Sequence, residues 1–201
     1  MEKSIAVLLS GSGRTLENIL EKIKDIKVEA VISSKKNVRG ITVAKKNNIP
    51  YHIVERKKNK NVEIFSNKIT NILEKYNFSL IVMAGFLSFY NYPEKYHQKI
   101  MNIHPALVPA FSGKGFYGMR VHREVYKRGV KVSGCTVHLV DRKYDHGPII
   151  VQKVCKINAE DKPEDIAHKV FELEKKAYPE AISLYLNEKI KIKNNRVYIQ
   201  K

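Results

Sequence analysis

Ile5-Ala6-Val7-Leu8-Leu9-Ser10-Gly11-Ser12-Gly13-Arg14-Thr15-Leu16 is the stretch from which the fold of this 201-residue chain can be read. Five apolar residues in a row, without polar alternation, suit a parallel strand covered on both faces. Two glycines then interrupt the run. Beyond them Leu16, Ile19, Leu20 and Ile23 fall at i, i+3, i+4 and i+7, the apolar stripe of a helix. Strand, glycine loop and helix together suit a phosphate: glycine lets backbone N–H groups approach an anion, and a helix N-terminus favours negative charge. A plain tight turn would use the same glycines. The dinucleotide fingerprint G-x-G-x-x-G is not completed, because Leu16 stands at the third glycine position, and this disfavours a nicotinamide oxidoreductase.

The same alternation continues outward. Residues 27–33, 51–54 and 78–83 and the run ending at Asn102 predict strands; residues 40–48 and the apolar face of Val62, Phe65, Ile69, Ile72 and Leu73 predict helices. Strands alternating with helices predict an α/β fold, Rossmann-like, with a doubly wound and mostly parallel sheet. Residues 130–140 and 149–154 predict two strands with no helix between them, so they must pair antiparallel and make the C-terminal edge of the sheet mixed. A long helix over 163–186 contains Pro179, which predicts a kink. Residues 189–200, broken by Asn194-Asn195, predict a terminal hairpin. With no repeat, low-complexity tract or linker, a single domain over 1–201 is expected.

The hydrophobic share of 43% is enough for one sizeable core. No apolar stretch is long enough for a signal peptide or a membrane span. Cys135 and Cys155 have neither metal-ligand spacing nor a disulfide framework, so a cytoplasmic setting with no metal is expected. The net charge of +17 admits nucleic acid, anionic small ligands or a solvated lysine-rich surface. Only Arg56-Lys57-Lys58-Asn59-Lys60 is a dense cluster, and no aromatic residues interleave with it as in a single-strand binding platform.

Chemistry is expected at Met101-Asn102-Ile103-His104-Pro105. Pro105 and Pro109 end the strand abruptly. Asn102 and His104, two apart, share one face at its end. Asn offers an uncharged amide donor and His the side chain that titrates nearest neutrality, a pair suited to holding an oxyanion and moving a proton. Alone, the pair also fits a turn-forming Asn and a core His. However, Gly11, Gly85, Asn102 and His104 all fall at carboxyl ends of predicted strands, where doubly wound sheets bind ligands. The segment 111–118, with three glycines and three aromatics, is either a mobile lid or an irregular connection.

Four motifs in order resemble the phosphoribosylglycinamide formyltransferase family: Ser10-Gly11-Ser12-Gly13, Met83-Ala84-Gly85-Phe86, Asn102 through Pro109, and Gly134-Cys135-Thr136-Val137-His138 with Asp145-His146-Gly147-Pro148. The resemblance implies formyl transfer from 10-formyltetrahydrofolate to the amine of glycinamide ribonucleotide, in purine biosynthesis, by direct attack through a tetrahedral intermediate. It implies that Asn102 holds the formyl oxygen, that His104 moves a proton and that Asp145 raises the His104 pKa. Gly11, Ser12, Gly13, Arg14 and Thr15 would hold the phosphate, and Glu174 the glycinamide. Leu87, Ser88, Phe89 and Tyr90, largely through backbone groups, would line the pterin site. Val137, Leu139 and Val140 would add apolar wall, with His138 a pocket residue.

The expected partners are small molecules, neither nucleic acid nor membrane, with a monomer or homodimer. The chain departs from the family at Arg14-Thr15, where small polar residues are usual. Ser88 and Val62 stand near positions often held by arginines, with Lys58, Lys60 or Lys114 as candidate substitutes, and the Gly113–Val121 loop is longer. Related two-domain enzymes, methionyl-tRNA formyltransferase and formyltetrahydrofolate hydrolase, would not fit in this length. The alternatives are a single-domain formyltransferase acting on a different small amine, a hydrolase of formyl-folate, and a basic nucleic-acid-binding module.

Overall fold

The structure, a computed structural model, describes residues 3–200. The chain divides into two compact units that meet in sequence inside one strand, the first ending at Met101 and the second beginning at Asn102.

In the first unit, β1 (Ser4–Leu9), β2 (Lys27–Ser33), β3 (Tyr51–Ile53) and β4 (Leu80–Met83) are separated by α1 (Arg14–Lys22), α2 (Arg39–Lys46) and α3 (Val62–Leu73). β1 pairs in parallel with both β2 and β4, and β2 with β3. The unbroken apolar run of β1 is fully buried from Ile5 to Leu9, as a strand covered on both faces must be. Leu16 and Ile19 of α1 and Phe65, Ile69 and Leu73 of α3 are buried with it, which are the stripes that the helical spacing predicts. α3 is capped by Asn61, whose Oδ1 accepts from the N–H groups of Glu63 and Ile64.

β5 spans Ile100–His104, although residues 96–103 read as one strand in the sequence. Residues Glu94–Tyr96 form a short 3₁₀ turn after Pro93, and Gln98 has φ 58°. A residue in the left-handed region cannot sit in a strand, so pairing begins only beyond it. Across the sheet the strand order is β3-β2-β1-β4-β5-β6-β7, with the doubly wound reversal between β1 and β4.

The second unit holds the end of β5, α4 (Met119–Arg128), β6 (Val132–Leu139), β7 (Ile149–Lys156), α5 (Pro163–Leu186) and a separate hairpin of β8 (Ile190–Lys193) and β9 (Arg196–Ile199). β6 and β7 are antiparallel, as their short connection requires, and the register shifts between Val137 and His138. α5 begins with Pro163 in its first turn and a bond from Lys162 N–H to Asp165 Oδ2 of 2.9 Å. It runs on as one helix through Pro179 to Leu186, packed against β6, β7 and α4. Asn194 and Asn195 have φ 50° and 59°, which is the double left-handed turn a two-residue hairpin needs. Among the described residues no helix is long and apolar enough to cross a membrane.

Gly134 makes the β6–β7 pairing possible. A Cβ there would lie 2.0 Å from the Lys153 carbonyl oxygen and 2.8 Å from Leu107 Cδ2. Gly134→Ala is expected to lower the unfolding free energy by about 3 kcal/mol, at the upper end of overpacking effects. A urea midpoint unchanged from wild type would refute the contact.

Candidate active site

In the first unit the loop after β1 is built by packing as much as by conformational freedom. Gly13 caps α1 with φ 76°, and a Cβ on it would lie 2.6 Å from Gly40 Cα. Gly40 N–H in turn donates to the Gly11 carbonyl at 3.1 Å. Gly11, by contrast, has open space where a Cβ would go. The first N–H groups of α1 have no partner within the helix, and the helix dipole adds positive potential there, so the Gly11–Thr15 segment can receive an anion. Ser12 and Arg14 are exposed and Thr15 is half-buried.

One buried hydroxyl ties this loop to the loop after β4. Ser10 N–H donates to the Gly85 carbonyl at 3.1 Å, Leu87 N–H donates to Ser10 Oγ at 2.9 Å, and Ser10 Oγ lies 2.6 Å from Ser34 Oγ. Sequence reasoning read Ser10 only as part of a motif. Beyond it, the Leu87 side chain is 52% exposed, and Ser88 and Phe89 are half-buried. The Tyr90 ring is a core group instead. Its hydroxyl pairs with Thr70 Oγ1 at 2.8 Å, and burial pushes its pKa up, so only its backbone remains for a ligand.

In the second unit Asn102, His104, His138 and Asp145 converge. Asn102 Nδ2 lies 3.2 Å from His138 Nε2, His104 Nδ1 lies 3.4 Å from Asp145 Oδ2, and His138 Nε2 lies 3.7 Å from Asp145 Oδ1. The period-two alternation of β5 puts Asn102 and His104 on one face, and the alternation of β6 sets His138 opposite Val137 and Leu139, with its ring against Asn102. Val137 and Leu139, alternating with His138, are fully buried on the opposite side, and Val140 is half-buried. The Asp145 side chain is only 10% exposed and its backbone sits at φ 51°, in the left-handed region that Asp tolerates.

Two backbone groups from the 111–113 segment complete the cluster. His104 Nε2 donates to the Phe111 carbonyl at 2.8 Å, and Gly113 N–H donates to Asp145 Oδ2 at 2.9 Å. His138 Nδ1 donates to the Leu139 carbonyl at 2.9 Å, which leaves a lone pair on Nε2 when the ring is neutral. Thus Nε2 accepts from the Asn102 amide, and the amide must present its nitrogen to it. Burial raises the Asp145 pKa, but the His138 and His104 rings and the Gly113 N–H outweigh this and hold it below the usual carboxylate value. The sequence expectation for His104 is modified. Burial lowers its pKa below 6.5, and although Asp145 and the Phe111 carbonyl pull it upward, they do not overcome the loss of hydration.

Sequence reasoning gave no role to His122, on the buried stripe of α4 with Val121 and Val125. Its ring is buried, and Nδ1 has no hydrogen-bond partner among the described residues. Burial, with the nearby His104 charge, lowers its pKa to about 4. Its spacing with Val125, i and i+3, is the signal that could have placed it inside. Glu174, half-buried on α5, stands close enough to Cys135 that its charge adds to burial in pushing that thiol up to about 12. Among the described residues no group of His, Cys, Asp and Glu is arranged to hold a metal ion.

The family profile described as formyl transferase matches residues 3–182. Phosphoribosylglycinamide formyltransferase, chloroplastic, of Arabidopsis thaliana is 34% identical over 97% of this chain and 69% of its own length. The trifunctional purine biosynthetic protein adenosine-3 of Gallus gallus is 32% identical over 94% of this chain, which spans 19% of that longer protein. The crystal structure of phosphoribosylglycinamide formyltransferase from Anaplasma phagocytophilum superposes with a TM-score of 0.88 at 33% identity, covering 100% of this chain and 96% of that one.

The two buried histidines set a pH dependence of stability. Their folded pKa values lie below the unfolded value of about 6.5, so they bind protons more readily when unfolded. The His122 contribution is fully present above pH about 6.5 and is lost as pH falls toward about 4, and the His104 contribution is lost in the same direction as pH falls below about 6.5. Asp145 adds a further loss below its ordinary value of 3.8. The urea midpoint is expected to fall between these limits in the wild type and to fall less steeply in His122→Leu. Identical slopes in the two proteins would refute the assignment to His122.

Proposed function

The chain belongs to the formyl transferase family, and on that footing we propose that it moves a formyl group from 10-formyltetrahydrofolate to the amine of glycinamide ribonucleotide. The observation that carries the reading is the gathering of His104 and His138 around the Asp145 carboxylate, with the Asn102 amide held against His138.

One N–H of the Asn102 amide is engaged by His138, and the other donates to the formyl oxygen as it gains negative charge. The amine's lone pair forms the new C–N bond while the carbonyl π pair moves onto that oxygen. With Nε2–H held by Phe111, His104 offers the Nδ1 lone pair, which takes the proton released by the amine. The low pKa set by burial keeps that lone pair available at neutral pH, and the Asp145 carboxylate stabilises the imidazolium once formed. The oxyanion pair then re-forms the carbonyl, the bond from the formyl carbon to the folate nitrogen breaks, and that nitrogen takes the proton held on His104.

Gly11, Ser12, Arg14 and Thr15 hold the ribonucleotide phosphate in this reading, and Gly13 shapes the loop through its contact with Gly40. Glu174 binds the glycinamide part. The folate carries a flat heterocycle edged with hydrogen-bonding groups, and the loop after β4 suits it. Gly85 has φ 70° with open space beside its Cα, Leu87 offers an exposed apolar side chain, and Ser88, Phe89 and Tyr90 offer backbone groups. From the second unit the same reading assigns Val137, Leu139 and Val140 as apolar wall of the folate site and His138 as a pocket residue; Val137 and Leu139 are fully buried. The reading also takes both partners to be small molecules, the setting to be cytoplasmic and the protein to be a monomer or homodimer.

The test is formyl transfer by the purified protein with glycinamide ribonucleotide and 10-formyltetrahydrofolate, followed by loss of the folate substrate. Turnover with a different amine, and none with glycinamide ribonucleotide, would overturn the acceptor. Asn102→Ala is expected to lower kcat by roughly two to three orders of magnitude, the usual scale for one oxyanion donor. Asp145→Asn should lower kcat and also depress the His104 pKa further, read by NMR titration of the ring. A near-normal kcat in Asn102→Ala would remove it from the mechanism.

A further inference from the structure

The phosphate reading of the Gly11–Thr15 loop leaves a conflict. Glu17 sits in the first turn of α1, where a carboxylate suits the helix dipole and therefore competes with an incoming phosphate for the same positive potential. The structure supplies a counterweight from α2. Arg39 donates to both carboxylate oxygens of Glu17, from Nη1 at 2.8 Å and from Nη2 at 2.5 Å, and Nη1 also donates to the Ser12 carbonyl at 3.1 Å.

We infer that Arg39 is a positioning residue for the nucleotide phosphate, cancelling the charge of Glu17 while bracing Ser12 in the loop. The inference rests on the phosphate reading above.

A plain surface ion pair would be worth little, because solvent screens it. This one differs in three respects. The guanidinium meets the carboxylate as a two-pronged fork, a geometry that fixes direction as well as distance. Its third bond goes to the backbone of the loop itself. The residue next to it, Gly40, holds the same loop from the other side, through the Gly11 carbonyl and the close approach of Gly13. With the Glu17 charge balanced in this way, the N–H groups of the first turn face the dianion without a competing carboxylate. Glu17 left alone would place a full negative charge within one helical turn of it.

The experiment is titration of glycinamide ribonucleotide into the full chain, with steady-state kinetics beside it. Arg39→Ala should weaken the ribonucleotide Kd and KM by about fivefold at low salt and by less at high salt, with kcat and the folate KM changed by less than about twofold. Arg39→Lys keeps the charge and should stay within about twofold of wild type. Adding Glu17→Gln to Arg39→Ala should bring the Kd back to within about twofold, which loss of a merely structural contact would not do. Unchanged affinity in Arg39→Ala, or a double variant as weak as the single, would overturn the inference. Gly11→Val separates the two readings, since its side chain has room in the loop but blocks an anion's approach. If it abolishes ribonucleotide binding while Arg39→Ala does nothing, only the role of Arg39 falls. If it too leaves binding intact, the phosphate reading falls with it.

Discussion

A buried carboxylate must be compensated or it will not stay charged, and Asp145 is the point on which the second unit turns. The Gly113 N–H donates to it, and the His104 and His138 rings stand 3.4 and 3.7 Å away, where a proton taken up by either ring meets the carboxylate; these groups come from the segment after β5, from β5 itself and from β6. No one of these elements is placed by its own sequence alone. The carboxylate gives each a reason to stop where it does: the loop at 113, the strand end at His104, the turn at the left-handed φ of Asp145. Asn102 is then aligned at one remove, through His138, whose tautomer is set by the Leu139 carbonyl. The chemistry of the site therefore depends on an arrangement in which each polar group settles the state of the next.

The first unit solves a different problem, that of bringing backbone close to backbone. Gly13 lies so close to the Gly40 backbone that it has no room for a side chain, and Ser10 binds the β1 and β4 loops with one hydroxyl. These contacts are short-ranged and unforgiving, in contrast with the screened charges of the surface. The net charge of +17 is thus a weak guide to function here, whereas the position of single atoms in the loops is a strong one.

The alternation of strands and helices was legible because burial on both faces leaves a one-dimensional mark, the unbroken run of Ile5 to Leu9. The shared face of Asn102 and His104 followed from the strand period. Asp145 and His138 came only through the resemblance to known enzymes, since nothing local links them to β5. Depth was the quantity that sequence did not carry. It decides that Tyr90 turns inward to Thr70 and that Val137 and Leu139 are fully buried, and it decides that the His104 pKa goes down despite its carboxylate neighbour. The opposite placement of His138 and its neighbours was implicit in the alternation along β6. The Arg39–Glu17 fork was not, because it joins two helices whose relative rotation no periodicity specifies.

The ends of the sheet bear on how the protein behaves at high concentration. A strand with unpaired backbone groups on one side is a template onto which another molecule can add its own. At one end β3 is only three residues long and directly follows Pro50. At the other, β7 is long and exposes Val154, but carries Lys153 and Lys156, and Lys153 is drawn into an ion pair with Glu180 on α5. Brevity at one edge and positive charge at the other discourage edge-to-edge stacking, so the sheet can stay open at both sides without seeding aggregates.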